Sequence, residues 1–166
     1  MTVLHVFVCP SFSYAVSDTA GVSNFCPSCF ACLSTGTKDP IWPAVNQIQY
    51  HVGMGSDPEG LLSYCSARGI VVQAYSPLAS GKLLSPPPAE LAAVAKAQGK
   101  SAAQVALKWI LQQDAAPMSL VTKADTKEYI TEDIELFDWS LTPAQMHTLD
   151  SATKPSNVPS WGCTAA

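Results

Sequence analysis

The chain has 166 residues, of which 48% are hydrophobic and 13% are charged, so it can bury the core of one globular domain. Its net charge of -4 and its scattered basic residues leave no basic stripe for phosphates, which argues against nucleic-acid binding. The apolar start is interrupted by His5 and ended by Pro10, far short of the roughly 20 residues that a membrane-spanning helix needs. Because the basic region of a signal peptide is also missing, we expect a cytoplasmic protein.

Residues 1–20 show no regular pattern beyond one possible strand, Val3 to Val8, and we leave this segment unassigned. The following residues, Gly21 to Phe25, are typical of a strand that ends in a polar loop. A proline at position 27 can begin a short helix, and Gly36 would end it early.

Three of the six cysteines, Cys26, Cys29 and Cys32, lie close together, while the others stand apart. This distribution is not that of an extracellular disulfide framework. The spacing resembles part of an iron–sulfur run, but the fourth cysteine of such a run is absent. We therefore expect thiols and no metal site.

The segment from Ala44 to Val52 combines apolar residues with amide, phenol and imidazole groups, as in a strand that delivers polar atoms to a site. A helix is predicted next, with Asp57 as its N-cap, Pro58 in its first turn and Arg68 in its last. Gly69 would supply the left-handed residue that ends it. A second β-branched strand follows from Ile70 to Tyr75.

The second half of the chain continues this alternation. The prolines at 86–88 form a stiff spacer, and a helix is predicted from Ala89 to Gln98. Capping-box patterns at Ser101–Gln104 and Thr142–Gln145 predict the starts of two more helices, the last ending near Ala152. Between them we predict a strand over 118–122 and a helix over 127–134.

Strands that alternate with helices predict a parallel sheet with helices outside it. Ligands of such sheets bind beyond the carboxyl ends of the strands. The residues that fall there in this sequence are polar or aromatic: Ser23, Asn24, Gln47, Tyr75, Ser76 and Lys123. One end of the sheet is therefore expected to carry the chemistry.

Several motifs in this order resemble the aldo-keto reductases, which are NAD(P)H-dependent enzymes with a (β/α)8 barrel. They are Gly-Val-Ser-Asn-Phe at 21–25, Val-Asn-Gln-Ile-Gln-Tyr-His at 45–51, Gly-Ile-Val-Val-Gln-Ala-Tyr-Ser-Pro-Leu at 69–78, Gly-Lys-Ser-Ala-Ala-Gln-Val-Ala-Leu-Lys-Trp at 99–109 and Leu-Phe-Asp-Trp-Ser-Leu-Thr at 136–142. The resemblance implies an α/β fold, a partial barrel of (β/α)8 TIM type with strands five to eight and their helices. Residues 21–153 would form this half barrel, and residues 154–166 would form a C-terminal tail.

The resemblance also implies a cofactor site for NADP(H), with NAD(H) as an alternative. Ser23, Asn24 and Gln47 would hold the nicotinamide carboxamide, and Tyr75 would stack on the ring. Further along the dinucleotide, Ser76, Leu78 and Ser80 would lie along the pyrophosphate, Lys123 would meet the 2′-phosphate, and Glu132 and Asp133 would lie near the adenine.

Two departures from the family affect the phosphate end of this site. The family commonly has serine after the lysine and an arginine a few residues later, whereas this chain has Ala124 and Tyr129. Losing a planar, bidentate donor weakens phosphate recognition, so the preference for NADPH over NADH stays open.

The resemblance places the family's catalytic Asp, Tyr, Lys and His in the half that this chain does not match, so no catalytic residue is assigned here. We read His51 as structural, while Gln47 and Tyr50 could also be polar residues of a barrel interior. Two functions follow: part of a reductase that acts on a small carbonyl substrate once a first half completes it, or a non-catalytic dinucleotide-binding or interaction protein. Half a barrel would leave strand edges unpaired and an apolar interior uncovered, so self-association is expected.

Overall fold

The computed structural model of the chain describes residues 20–36 and 38–156. Within them, four parallel strands form one sheet in the order β1-β2-β3-β4. The strands are β1 (Gly21–Ser23), β2 (Val45–Gln49), β3 (Val71–Tyr75) and β4 (Met118–Leu120). The parallel sheet expected from the sequence is confirmed, although each strand is shorter than its sequence pattern. The possible strand at 3–8 and the tail beyond residue 156 lie outside the described residues.

Six α-helices connect and follow the described strands: α1 (Pro27–Ser34), α2 (Leu61–Ser66), α3 (Ala89–Gln98), α4 (Ala102–Leu111), α5 (Lys127–Ile134) and α6 (Pro143–Asp150). A helix or helix pair therefore separates each strand from the next. This is the repeated βαβ connection that a parallel sheet requires, because its strands all run in one direction.

Both predicted capping boxes are present. The hydroxyls of Ser101 and Thr142 accept the backbone N–H three residues later, and the side chains of Gln104 and Gln145 accept the N–H of the capping residue. Each pair satisfies two N–H groups that the first turn of a helix leaves without partners. Helix α3 ends as predicted at Gly99, which takes a left-handed φ of 64°.

The predicted helix from Asp57 to Arg68 is wrong at its start. Glu59 and Gly60 take positive φ values of 55° and 70°, which breaks the helical path after a short 3-10 turn at Pro58–Gly60. The carboxylate of Asp57 nevertheless contacts the first turn of α2, because it accepts the backbone N–H of Leu62 at 2.7 Å. The N-cap of α2 is Gly60 rather than Asp57, and α2 spans only Leu61–Ser66, so it begins three residues after Pro58 and ends two residues before Arg68.

One face of the sheet packs against the helices and forms the core. Alternate residues of the strands, including Val22, Ile48 and Val72, are buried there. Trp109 of α4 is fully buried in this layer, where its ring stacks on Tyr50 with centroids 5.0 Å apart. The burial of these large apolar side chains is the main force that holds the helices on the sheet.

The other face carries a polar row across all four strands. Strand pairing places Ser23 opposite Gln47, Gln47 opposite Gln73, and Gln73 opposite Ser119. These four residues are half-buried. An apolar interior was expected, and for this row the expectation is wrong. Self-association through the edges β1 and β4 stays a prediction.

Among the described residues, no helix has the length and apolar character needed to span a membrane.

Candidate functional site

Two hydrogen bonds to the carbonyl of Gln47 join the carboxyl ends of β1 and β2. The Ser23 hydroxyl donates to the carbonyl of Gln47 at 3.1 Å, and the backbone N–H of Asn24 donates to the same carbonyl at 2.8 Å. Asn24 itself has a positive φ of 57°, a conformation that asparagine tolerates better than most residues. The chain therefore turns sharply at the point where β1 ends.

Tyr75, at the end of β3, closes this arrangement. Its hydroxyl donates to Oδ1 of Asn24 at 3.1 Å, and Nδ2 of Asn24 donates to the Ser23 hydroxyl at 3.3 Å. Burial raises the pKa of the Tyr75 phenol, while the hydrogen bond with Asn24 lowers it by less. The phenol therefore keeps its proton at neutral pH and acts as a donor.

Gln47 lies beside these residues and is paired with a partner that the sequence reasoning did not identify. Its Nε2 donates to Oε1 of Gln73 at 2.7 Å, across from β2 to β3. The alternation in Val-Val-Gln-Ala-Tyr does place Gln73 on the same face as Tyr75. Its contact with Gln47, however, depends on the register between the two strands, which a single sequence does not reveal.

A strained turn follows β3 directly. Ser76, Ala79 and Ser80 all take positive φ values, between 49° and 56°, although none of them is glycine. The turn is held by backbone hydrogen bonds from Ala79 to the Ser76 carbonyl and from Gly81 to the Leu78 carbonyl. Such conformations are costly for residues with a Cβ and concentrate at binding sites. The structure thus places Ser76, Leu78 and Ser80 on one turn beside Tyr75.

Lys123 leaves the sheet near the same end. The N–H of Val121 donates to the Ala74 carbonyl, which places this segment alongside the end of β3. Lys123 is exposed, and its Nζ lies 2.9 Å from the carboxylate of Asp125. The predicted phosphate contact is therefore accessible, but a carboxylate already lies against it.

Glu132 and Asp133 lie on α5, apart from the residues at the ends of β1, β2 and β3. A carboxylate oxygen of Glu132 accepts the Ser101 hydroxyl at 2.6 Å, and its backbone carbonyl lies 3.4 Å from Nε2 of Gln104. Burial raises the pKa of the Asp133 carboxyl, and the neighbouring Glu132 raises it further. Glu132 therefore links α5 to the start of α4 and retains acceptor capacity on its carboxylate.

Tyr50 and His51 belong to the core rather than to the site. The Tyr50 hydroxyl lies 3.0 Å from the carbonyls of Gly55 and Ser56. His51 is buried, and its Nδ1 lies 2.8 Å from the Val52 carbonyl. A carbonyl accepts only, so Nδ1 carries the proton. The other ring nitrogen, Nε2, lies 3.4 Å from Nε2 of Gln49, so both ring nitrogens have partners within the core, as expected for a structural histidine.

The buried imidazole predicts a pH dependence of stability. Burial lowers the pKa of His51 below its ordinary value of 6.5, and the lowering is opposed by the hydrogen bond to Val52. As the pH falls below about 6.5, the imidazole is protonated in the unfolded chain before it is protonated in the folded chain, so the free energy of unfolding should fall as the solution is acidified. Above that pH the imidazole contributes no such dependence.

Urea unfolding of the wild type and of His51→Asn, from neutral to mildly acidic pH, measures this contribution. The variant cannot titrate at position 51, so the difference between the two unfolding free energies should shrink as the pH falls. Parallel curves would show that His51 does not titrate differently in the folded and unfolded states.

The cysteines were expected to be free thiols, and the structure confirms this for some of them only. Cys29, Cys32 and Cys65 are free, whereas Cys26 is disulfide-bonded. For Cys26 the expectation of a free thiol is therefore wrong. In the part of the chain that the structure describes, no group of three or more His, Cys, Asp or Glu residues is arranged to hold a metal ion.

Known proteins match this chain along most of its length. The model of the Aldo/keto reductase family matches residues 18–154. The 7-acetyl-epi-neemfruitin B aldo-keto reductase of Melia azedarach is 34% identical over 140 residues, which cover 81% of this chain and 42% of that protein. The D-galacturonate reductase of Fragaria ananassa is 34% identical over 143 residues, covering 83% of this chain and 43% of that protein. The chain thus spans less than half the length of these curated relatives.

Solved structures agree with this match. An aldo-keto reductase from a Medee basin deep-sea metagenome library superposes with a TM-score of 0.67 and 31% identity, over 80% of this chain and 47% of that one. An aldo-keto reductase crystallised with NADPH gives a TM-score of 0.63 and 31% identity, over 80% of this chain and 41% of that one. The four parallel strands and their helices correspond to part of a (β/α)8 barrel. On its sequence match and its fold together, the chain belongs to the aldo/keto reductase family.

Proposed function

We propose that this chain binds a nicotinamide dinucleotide, NADP(H) or NAD(H), at the carboxyl ends of β1, β2 and β3, and that it forms the cofactor-holding part of a carbonyl reductase. The observation that carries the proposal is the connected group of Ser23, Asn24, Gln47 and Tyr75. The relative crystallised with NADPH supports it, since that protein shares this part of the fold.

The residues present suit the nicotinamide end of such a cofactor. A carboxamide offers an N–H donor and a carbonyl acceptor, and the Ser23 hydroxyl and the two amides of Asn24 and Gln47 supply complementary groups. The half-buried ring of Tyr75 offers a flat surface for a planar heterocycle. When bound, the nicotinamide would supply the hydride that reduces an aldehyde or ketone. The protein's part is to fix the orientation of that ring.

The remaining predicted contacts extend from this end. The turn of Ser76, Leu78 and Ser80 offers hydroxyl groups beside Tyr75, and half-buried Leu78 packs against the core and holds the turn in place. These hydroxyls suit a pyrophosphate. Lys123 would meet an adenosine 2′-phosphate, and the carboxylates of Glu132 and Asp133 would accept hydrogen bonds near the adenine.

The Asp125 carboxylate offers a way to test whether Lys123 binds the 2′-phosphate of the cofactor. It lies 2.9 Å from Nζ of Lys123, and it would repel a 2′-phosphate that approaches the same ammonium. Replacing Asp125 with Asn should therefore raise the affinity for NADPH. The gain should not exceed about fivefold, because exposed ion pairs contribute at most about 1 kcal/mol.

The measurement is a calorimetric titration of wild type and Asp125→Asn with NADPH and with NADH. NADH lacks the 2′-phosphate and serves as the control ligand, so its affinity should stay unchanged. An equal gain for both dinucleotides would mean that Asp125 acts elsewhere than at the 2′-phosphate.

We further propose that the chain alone does not reduce carbonyl compounds. Family members use an Asp, Tyr, Lys and His tetrad for proton transfer, and the resemblance puts that tetrad in the half that this chain does not match. Tyr75 does not replace the proton donor, because its hydroxyl is engaged with Asn24 and its pKa is raised. A poised acid should instead have a pKa near the working pH.

The test is to titrate the purified chain with NADPH and NADH while following the heat of binding, and then to assay reduction of a panel of aldehydes. Binding without turnover is the expected result. Failure to bind either dinucleotide would refute the cofactor site, and reduction of any aldehyde would refute the missing catalytic acid.

A further inference from the structure

Asn46 stands directly behind the residues that would hold the carboxamide. It is fully buried on β2, and successive residues of a strand point to opposite faces. Gln47 therefore faces the site, while the side chain of Asn46 lies on the helix side of the sheet. Asn46 cannot touch a ligand bound at Gln47.

The amide of Asn46 holds both backbone polar groups of one residue. Its Oδ1 accepts the N–H of Phe25 at 3.3 Å, and its Nδ2 donates to the carbonyl of Phe25 at 2.9 Å. An amide carries one acceptor and one donor group, so it matches a backbone N–H and C=O pair as neither a carboxylate nor a hydrocarbon does. Residues 21 positions apart are joined in this way.

Phe25 directly follows Asn24, the residue with the positive φ. The turn is therefore held at two residues: the Asn24 N–H donates to the Gln47 carbonyl, and the N–H and C=O of Phe25 are both held by Asn46. The ring of Phe25 also packs edge-on against Phe30, with centroids 5.5 Å apart. These contacts hold the backbone from which the Asn24 side chain reaches the Tyr75 hydroxyl.

We propose that Asn46 is a positioning residue for the nicotinamide end of the site, acting through the backbone of Phe25 on the orientation of the Asn24 side chain. The inference rests on the proposed function, because it concerns that same site. Binding groups keep their geometry when neighbouring side chains lock them, and loss of that support weakens binding without removing any contact to the ligand.

The test compares two ligands. NADPH has the carboxamide, while 2′-phospho-ADP-ribose has the adenosine, the 2′-phosphate and the pyrophosphate but no nicotinamide. Asn46→Leu keeps the approximate volume and removes both hydrogen bonds to Phe25. We expect it to raise the Kd for NADPH by about tenfold, since hydrogen bonds that lose their alignment cost about that factor in affinity. The Kd for 2′-phospho-ADP-ribose should change by less than about twofold.

Gln112 provides a matched control. Its amide also holds a single residue by both backbone groups, donating to the Leu141 carbonyl at 2.6 Å and accepting the Leu141 N–H at 2.9 Å. This contact joins the helix layer and involves none of the proposed cofactor residues. Gln112→Leu should therefore lower the melting temperature without changing the affinity for either ligand.

A double-mutant cycle with Asn24→Ala separates positioning from general destabilisation. If Asn46 acts through Asn24, Asn46→Leu should lose its effect on the NADPH affinity once the Asn24 amide is gone. Asn46→Ser, which introduces no charge and is too short to hold both backbone groups of Phe25, should show the same selectivity, and it serves as the test variant if Asn46→Leu does not fold.

The outcomes are distinguishable. A selective loss of NADPH affinity that disappears in the Asn24→Ala background supports the inference. Equal losses for both ligands, no loss in a folded variant, or additive effects in the cycle would overturn it and leave the proposed cofactor site standing. A wild-type chain that binds neither ligand would overturn the proposed function and this inference together.

Discussion

Replacing Tyr75 with alanine is expected to raise the Kd for NADPH by roughly ten- to a hundredfold. The ring of Tyr75 is half-buried at the end of β3 and is the aromatic surface on which we place the nicotinamide. Stacking of a heterocyclic base on an aromatic side chain contributes about 1 to 3 kcal/mol, and each 1.4 kcal/mol is a factor of about ten in affinity. Calorimetric titration with NADPH measures the change.

Tyr75→Phe is the matched control for this experiment. It keeps the ring and removes only the hydrogen bond to Oδ1 of Asn24. We expect a loss of about two- to tenfold, because one neutral hydrogen bond contributes about 0.5 to 1.5 kcal/mol net. If the alanine variant bound NADPH as tightly as the wild type, Tyr75 would not contact the nicotinamide.

Trp109→Ala should cause the largest loss of stability, about 3 to 5 kcal/mol in the free energy of unfolding. Trp109 is fully buried between the sheet and α6, stacks on Tyr50, and donates its indole N–H to Asp150 at 2.8 Å. The substitution leaves a large cavity and removes the hydrogen bond to a carboxylate at the same time. Urea unfolding followed by circular dichroism gives the value.

Trp109→Phe separates these two contributions. The phenyl ring fills most of the cavity and can still stack on Tyr50, but it cannot donate to Asp150. Its cost should therefore lie well below that of the alanine variant. Equal unfolding free energies for the two variants would mean that the hydrogen bond to Asp150, and not the packing, accounts for the stability at this position.

Local patterns in the sequence were sufficient for much of the fold. Ser101 with Gln104 and Thr142 with Gln145 satisfy one another within a single turn, so their spacing alone identifies the helix starts. Gly99 likewise ends α3 through its own backbone freedom, with a φ value of 64°. Each of these features depends on residues a few positions apart.

The features that the sequence did not reveal leave no recognisable local pattern of residue types. The left-handed φ of Glu59, which delays α2, has no residue-type signature, because glutamate rarely adopts it. Predicting the hydrogen bond between Gln47 and Gln73, or the hydrogen bonds between Asn46 and Phe25, requires knowledge of how the strands are aligned.

Part of the candidate site was likewise predictable from the sequence, and part was not. The family motifs placed Ser23, Asn24 and Gln47 at adjacent strand ends, and the structure brings them within hydrogen-bonding distance of one another or of a shared carbonyl. The carboxylate of Asp125 beside Lys123 was not foreseen, although the two residues are only two positions apart. An exposed ion pair depends on side-chain rotamers that a sequence pattern does not specify.

The most direct test of the cofactor site is a backbone amide spectrum of the isotopically labelled chain, recorded as NADPH is added. The account predicts that the largest shift changes fall on Ser23, Asn24, Gln47 and the turn at 75–80, with little change in α6 (Pro143–Asp150) on the far side of the core. Saturable shift changes confined to other parts of the chain would contradict it. The absence of any shift change at roughly millimolar NADPH would contradict it too, because that concentration occupies even a weak site.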